Sequence, residues 1–145
     1  MRVSGLEQML PLSYLMKDAR ALGEADLPNE LALCYSQRFI HYLQFSDAVA
    51  LLRLLRSKMR PNSKLFLSAS GLLSELGNGY GARHQKLDER FSVLAPNNAA
   101  KHGIHEPVCL YTEDELVALC ERASFKPEQV FSSSFGNVKG IFSVS

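Results

Sequence analysis

The fold is decided by a stretch that begins Leu31-Ala-Leu-Cys-Tyr-Ser36 and ends Lys64-Leu-Phe-Leu-Ser-Ala-Ser70. Each end is a short, continuous apolar run, which is typical of strands buried on both faces of a parallel sheet. Between them, apolar residues recur with the spacing of one helix face, at Val49, Leu52, Leu55 and Met59. Ser46 is a plausible N-cap for this helix, and Pro61-Asn62-Ser63 is expected to stop it with a turn. The pattern predicts an α/β domain in which the helix packs on a sheet.

Upstream of this stretch, Ser13 to Lys17 form another apolar run, closed by Asp18. We predict a strand there. The connection from 18 to 30 contains Gly23, Pro28 and Asn29, so it has space for at most a short helix.

Downstream, the sequence predicts a glycine-rich loop over 71–81, a helix over 83–94 ended by Pro96, and a helical turn over 97–102 closed by Gly103. Thr112 and Glu115 form a capping box that starts the next helix. Strands are predicted at Val130 to Ser133 and Val138 to Val144. Because only a tight turn at Gly136-Asn137 joins them, they are expected to form an antiparallel hairpin.

Composition limits the function classes. The chain has 145 residues, 46% hydrophobic residues and a formal net charge of +1. We interpret it as a single domain, 1–145, without a linker or repeat. A net charge this small provides no field to recruit nucleic acid. No apolar run is long enough to span a membrane and none resembles a signal-peptide core, so we expect a cytoplasmic protein.

Cysteine and histidine spacing adds little chemistry. The three cysteines lack the spacing of a metal site, and a disulfide framework is not expected. Because Gly103 separates His102 from His105, no helix presents these side chains together. We expect no metal.

In order and spacing, several segments resemble the C-terminal part of the class I S-adenosylmethionine-dependent methyltransferase family. Residues 31–43 resemble the family's fourth strand and the active-site segment after it, and Arg60 to Ser68 resemble its fifth strand and the turn before it. Tyr111 to Leu116 with Ala123-Ser124-Phe125, and then Phe135 to Val138, resemble the late helix and the final hairpin. The resemblance implies an incomplete Rossmann-like fold. Its sheet would be mostly parallel with a C-terminal antiparallel hairpin, and helices would cover both faces.

The resemblance also implies a set of site residues. Asp18 matches the carboxylate that accepts from the adenine amino group of S-adenosylmethionine, and Ala19 matches the backbone donor beside it. Ser36 and Gln37 would line the methionine side of the cofactor pocket, and a catalytic group of Arg38, His41 and Tyr42 would face the methyl acceptor. Two structural alternatives stay open, because Asp18 could cap the next turn and His41 could be a hydrogen-bonded histidine in a packed helix.

The sequence departs from the family upstream of Asp18, where no glycine-rich loop precedes the matched segments. Such a loop lets the backbone approach the cofactor. Glu7 resembles the acid that binds the ribose hydroxyls, but it lies so close to Asp18 that little space remains for a crossover of about a dozen residues. The alternative that Glu7 is an ordinary surface acid is favoured. Cofactor binding is therefore expected to be impaired or absent in a truncated, methyltransferase-like domain.

Without the family's central strand, Leu31 to Ser36 would have an unpaired apolar edge. We therefore predict a homodimer through this sheet edge, or a rearranged sheet in which Ser13 to Lys17 takes the central place.

Two functions remain open. One is methyl transfer to a small acceptor, with His41 as the base and Tyr80 as a ligand contact. The other is a non-catalytic domain that oligomerises or binds a ligand.

Overall fold

The computed structural model describes residues 12–145 and shows a mixed α/β domain. Its strands are β1 (Leu31–Ser36), β2 (Met59–Ala69), β3 (Lys126–Ser132) and β4 (Val138–Ser143). Its α-helices are α1 (Phe45–Lys58), α2 (Pro96–His102) and α3 (Glu113–Arg122). Short 3₁₀ turns lie at Ala19–Ala21, Glu24–Asp26, Ile40–Tyr42, Glu75–Gly77 and Leu87–Glu89.

The four strands form one sheet in the order β1-β2-β4-β3. β1 runs parallel to β2, with Cys34 beside Leu65. β4 runs antiparallel to both β2 and β3, so the predicted C-terminal hairpin is confirmed. Within the described residues, the parallel arrangement is limited to the pair β1 and β2. The predicted α/β class is confirmed, and β1 has the predicted bounds.

The core lies on one face of the sheet. The alternate β2 residues Leu65, Leu67 and Ala69 are at most 2% exposed. They belong to the same cluster as Leu52 of α1 and Leu116 of α3. Both long helices therefore cover this face, as the alternation of side chains along a strand requires.

The opposite face, which we call the open face, carries Leu33, Tyr35, Phe66, Phe131 and Ile141. Leu33 and Tyr35 are 55% and 69% exposed, and no helix of residues 12–145 covers them. This differs from the expectation of helices on both faces.

Local signals at the helix ends are partly confirmed. The amide of Glu115 donates to the Thr112 hydroxyl, and the Glu115 carboxylate accepts from the Thr112 amide, which forms the predicted capping box. α2 ends at Gly103, whose φ of 66° is the left-handed conformation expected of a C-terminal glycine. The predicted N-cap at Ser46 is wrong, since α1 begins at Phe45 after Gln44.

Three predicted elements are corrected. Ser13 to Lys17 are not a strand: the segment pairs with no strand of residues 12–145, and Met16 is 83% exposed. The helix predicted over 83–94 is only a 3₁₀ turn, because Ser92 pairs with Val108 and the Arg90 side chain turns inward. The turn predicted at Pro61-Asn62-Ser63 lies inside β2, although Asn62 does adopt a left-handed φ of 64°.

In the part of the chain that the structure describes, no helix is both long enough and apolar enough to cross a bilayer.

Candidate functional site

A cavity of about 970 Å³ lies at the end of the sheet where the parallel strands β1 and β2 finish. Arg38 follows β1 and Gly71 follows β2, and both line it. Thr112 at the start of α3 is brought to the same place, because Tyr111 pairs with Gly71. Ligands of open α/β sheets bind outside the carboxyl ends of the strands, and this cavity has the size of small-molecule sites.

The turn between β3 and β4 forms another wall of the cavity, over residues 132–138. It lies against the chain after β2, so that a Cβ atom at Gly71 would overlap the Gly136 carbonyl oxygen. Gly136 has a φ of 86°, and a Cβ there would lie 2.6 Å from the Cβ of Ser74. Two glycines thus permit this close contact between separate segments.

The charges around the cavity differ in how they are neutralised. Glu75 accepts from Lys101 and pairs with His102 at 3.3 Å, and the hydrogen bond from Lys101 lowers the Glu75 pKa. Glu113 accepts from the Ser132 hydroxyl at 2.7 Å. Arg38 forms no ion pair with any residue of 12–145. Its guanidinium therefore remains available for a ligand.

The backbone of Arg38 is held in an uncommon conformation, with a φ of 51°. Its amide donates to the Ser68 carbonyl oxygen at 3.1 Å and to the Ser68 hydroxyl at 2.9 Å. Non-glycine residues adopt such angles mainly where the surroundings enforce them, often at functional sites. These bonds fix the chain direction where it leaves β1.

The other residues predicted near Arg38 are not brought into the cavity. Ser36 and Gln37 line a separate groove of about 200 Å³ on the open face, where Gln37 accepts from the Tyr35 hydroxyl at 2.7 Å. Tyr42 is 38% exposed, and its ring centroid lies 4.4 Å from that of His41. Their roles toward a cofactor or acceptor stay predictions.

His41 is 1% exposed and does not line the cavity. Its Nδ1 accepts from the Ser70 amide at 3.2 Å, and its carbonyl oxygen accepts from the Cys109 amide at 2.8 Å. Burial, with a smaller contribution from the Arg38 charge, lowers the His41 pKa to about 4. This geometry favours the alternative that His41 is a packed, hydrogen-bonded histidine. Its role as a base stays a prediction.

The buried His41 is expected to make folding stability dependent on pH. Because its folded-state pKa of about 4 lies below the ordinary value of 6.5, the unfolded chain binds the proton first as pH falls. We expect the free energy of unfolding to fall between pH 6.5 and 4 by up to roughly 3 kcal/mol, at about 1.4 kcal/mol per pH unit. Urea denaturation at pH 7.5, 6.5 and 5.5 measures this.

The matched variant is His41→Asn, which keeps an acceptor for the Ser70 amide but does not titrate. We expect its stability to change less than wild type between pH 6.5 and 5.5. Equal slopes in the two proteins would show that His41 does not cause the effect.

The residues assigned to the adenine end lie apart from the cavity. Asp18 accepts from the Arg20 amide at 2.9 Å and pairs with the Arg20 side chain, so it caps the 3₁₀ turn that Ala19 begins. Hydrogen bonds from the side chain and then the backbone of Arg20 lower the Asp18 pKa to about 2. Capping is therefore observed, and adenine binding stays a prediction. Glu7 lies outside the described residues.

Tyr80 lies in a second apolar cluster with Leu76, Leu94 and Leu110. It is 3% exposed, its hydroxyl donates to the Val108 carbonyl oxygen at 2.5 Å, and burial raises its pKa to about 12. It does not line the cavity.

Sequence reasoning missed most of the cavity wall, including Ser132 to Asn137 and Glu113. The glycine and serine content of the β3–β4 turn predicted only a hairpin. Its position beside the end of β2 depends on the antiparallel register, in which Ala69 pairs with Val138. The signal in the sequence that could have indicated this wall is the serine-rich turn that directly follows a strand of the same sheet.

The fold is that of class I methyltransferases. No protein-family model matches the sequence, and no curated protein matches it. Among solved structures, an S-adenosylmethionine-dependent methyltransferase from Mesorhizobium loti has a TM-score of 0.65 and 14% identity, over 90% of this chain and 69% of that one. A protein from Pyrococcus horikoshii has a TM-score of 0.67 and 12% identity, over 97% of this chain and 63% of that one.

A putative O-methyltransferase from Nostoc punctiforme has a TM-score of 0.58 and 16% identity over 89% of this chain. The present chain spans only 35% of that protein's length, and 34% of a pyocyanin biosynthetic protein of the same fold. At these identities the likeness concerns the fold. The resemblance seen in the sequence is confirmed at that level.

Proposed function

We propose that this domain binds a small organic acceptor in the cavity between β1, β2 and the β3–β4 turn, as the substrate side of a methyltransferase-like fold. The observation that supports the proposal most is the cavity of about 970 Å³ at the carboxyl ends of the parallel strands. Cavities at this end of an α/β sheet are where such folds bind ligands.

The lining indicates the chemistry of the acceptor. Leu73 and Phe135 line the cavity, and 77% and 83% of their surfaces are exposed. An apolar ring bound against them would bury this apolar surface and so stabilise the complex. Arg38 supplies a cation for a carboxylate or phosphate, which a guanidinium binds with two parallel hydrogen bonds. A small aromatic acid that carries a hydroxyl combines these features. Methyl transfer would then depend mainly on aligning this hydroxyl with the methyl donor.

We further propose that the domain binds S-adenosylmethionine weakly. Residues 12–145 contain no glycine-rich turn from a strand into a helix ahead of β1. Asp18, the candidate adenine ligand, is engaged by Arg20 and does not line the cavity. Among residues 12–145, neither Asp18 nor Ala19, which the resemblance assigns to the adenine, lines the acceptor cavity, and this supports the proposal of weak binding.

Titration calorimetry and amide NMR test both parts of the proposal. With 4-hydroxybenzoate as the probe, we expect shifts of amides in residues 71–75 and 132–138 and a dissociation constant in the millimolar range. With S-adenosylmethionine or S-adenosylhomocysteine alone, we expect no saturable heat up to about 1 mM, which corresponds to less than about 4 kcal/mol of binding free energy.

The variant Arg38→Met should weaken the binding of 4-hydroxybenzoate at least about tenfold, or about 1.4 kcal/mol. Lys86→Met, at an exposed position outside the cavity, is the matched control and should have no effect. Shifts confined to other parts of the chain would reject the cavity as the site. Micromolar binding of S-adenosylmethionine would contradict the second part, and loss of that binding in Asp18→Ala would then support adenine at Asp18.

A further inference from the structure

The two edges of the sheet differ in how they are protected against pairing with another chain. β3 forms one edge and contains Lys126, Pro127 and Glu128, together with a register irregularity between Pro127 and Gln129. Charges, proline and bulges are the usual means of blocking an edge strand. β1 forms the other edge, and its sequence, Leu-Ala-Leu-Cys-Tyr-Ser, contains no charge and no proline, although its register with β2 is irregular between Leu31 and Leu33.

The unprotected edge is also apolar and exposed. Within residues 12–145, β1 pairs only with β2, so the backbone groups along its outer side have no partner strand. Leu33 and Tyr35 expose 55% and 69% of their surfaces beside this edge. The tyrosine ring lies 6.5 Å from that of Phe66, so the exposed apolar surface continues onto the open face.

We propose that β1 pairs antiparallel with β1 of a second copy of this chain, about a two-fold axis that passes through Cys34 perpendicular to the sheet. Such an interface is isologous, with each residue pair formed twice. Leu33 of each copy then lies opposite Tyr35 of the other, and Ala32 opposite Ser36. The two four-stranded sheets become one sheet of eight strands.

Charge complementarity favours a second copy as the occupant. The register centred on Cys34 brings Glu30, which precedes β1, toward Arg38 of the other copy, which follows β1. Neither side chain has an ion-pair partner among residues 12–145, and both residues, which flank β1, have left-handed backbones. Between them the strand carries no charge, so self-pairing places no like charges opposite each other. A guanidinium has five donors, so Arg38 can bind Glu30 and still face the cavity.

The first experiment measures the oligomeric state by sedimentation equilibrium of the full chain. We expect a dimer with a dissociation constant on the order of 10 µM, as suits an interface near the lower limit of size. Leu33→Lys adds a charge to the β1 edge next to the two-fold axis and should weaken the dimer at least about tenfold. Gln129→Lys is the matched control, because it lies on the same face at the protected edge and should leave the dimer intact.

The second experiment tests the register by disulfide formation. Directly opposite residues of antiparallel strands have Cα atoms about 4.5 to 5.5 Å apart, within the range that a disulfide spans. Mild oxidation with copper phenanthroline should therefore join two chains through Cys34, since Cys109 and Cys120 are both 0% exposed. Cys34→Ser should abolish the link. Ala32→Cys in the Cys34→Ser background should not restore it, whereas Ala32→Cys together with Ser36→Cys should.

A wild-type chain that remains monomeric at about 100 µM, well above the expected dissociation constant, would overturn the proposal. A dimer that survives Leu33→Lys would also overturn it. A dimer without the Cys34 link would overturn the register. None of these outcomes depends on ligand binding in the cavity.

Discussion

Replacing Glu115 with Gln is expected to lower the free energy of unfolding by about 3 to 5 kcal/mol, because it leaves the Arg90 charge buried without its partner. The Arg90 side chain is 5% exposed, and two of its nitrogens bond to the Glu115 carboxylate. The same guanidinium donates to the carbonyl oxygens of Leu110 and Gln85, at 2.8 and 2.9 Å. The pair therefore ties the irregular segment before α2 to the start of α3. Urea denaturation followed by circular dichroism measures the loss.

Arg90→Met is expected to cost less than Glu115→Gln. The Glu115 side chain is 24% exposed, so water can solvate its charge once the guanidinium is removed. For the same reason, Arg90→Met combined with Glu115→Gln should recover part of the stability lost in Glu115→Gln, because the buried cation is gone. A double-mutant cycle gives this coupling directly.

The control is the exposed pair of Lys101 with Glu75, whose side chains are 62% and 48% exposed. Lys101→Ala should change stability little, since water and salt screen such pairs. If Glu115→Gln has no larger effect than Lys101→Ala, the Arg90 pair does not carry the burial penalty that we assign to it.

Local signals in the sequence predicted the regular elements that depend on few distant contacts. The capping box of Thr112 and Glu115 involves only two residues three apart in the sequence. The glycine that ends α2 depends only on its own left-handed backbone conformation. β1 was predicted from a continuous apolar run, and the hairpin from the turn that joins its strands. The order of these elements was sufficient to identify the fold.

The errors lie where a distant segment determines the local conformation. The apolar spacing over 83–94 suits a helix, but the bridge from Ser92 to Val108 and the bonds from Arg90 to Leu110 hold that segment irregular. Ser13 to Lys17 have a strand-like sequence, but no neighbouring strand of residues 12–145 satisfies their backbone. Likewise, the burial of His41 depends on Ser70 and Cys109, which lie far away in the sequence.

Gly71→Ala is expected to disrupt the cavity and to lower stability by about 1 to 3 kcal/mol or more, the usual cost of overpacking. A Cβ at this position would overlap the Gly136 carbonyl oxygen, which belongs to backbone rather than to a flexible side chain. The Gly71 carbonyl oxygen also accepts from the Ser74 amide and hydroxyl, at 3.2 and 2.7 Å, so the chain after β2 cannot move alone. The β3–β4 turn must therefore shift outward.

Because that turn forms a wall of the cavity, its displacement should abolish the millimolar binding expected for 4-hydroxybenzoate. Gly81→Ala is the matched control, since a Cβ there would meet no atom within 4 Å. It should leave both stability and binding near wild type. A pH control separates displacement of the β3–β4 turn from loss of stability. Lowering the pH from 7.5 to 5.5 should destabilise the wild type through His41 without moving the turn. Binding that survives Gly71→Ala would place the ligand away from the contact between Gly71 and Gly136.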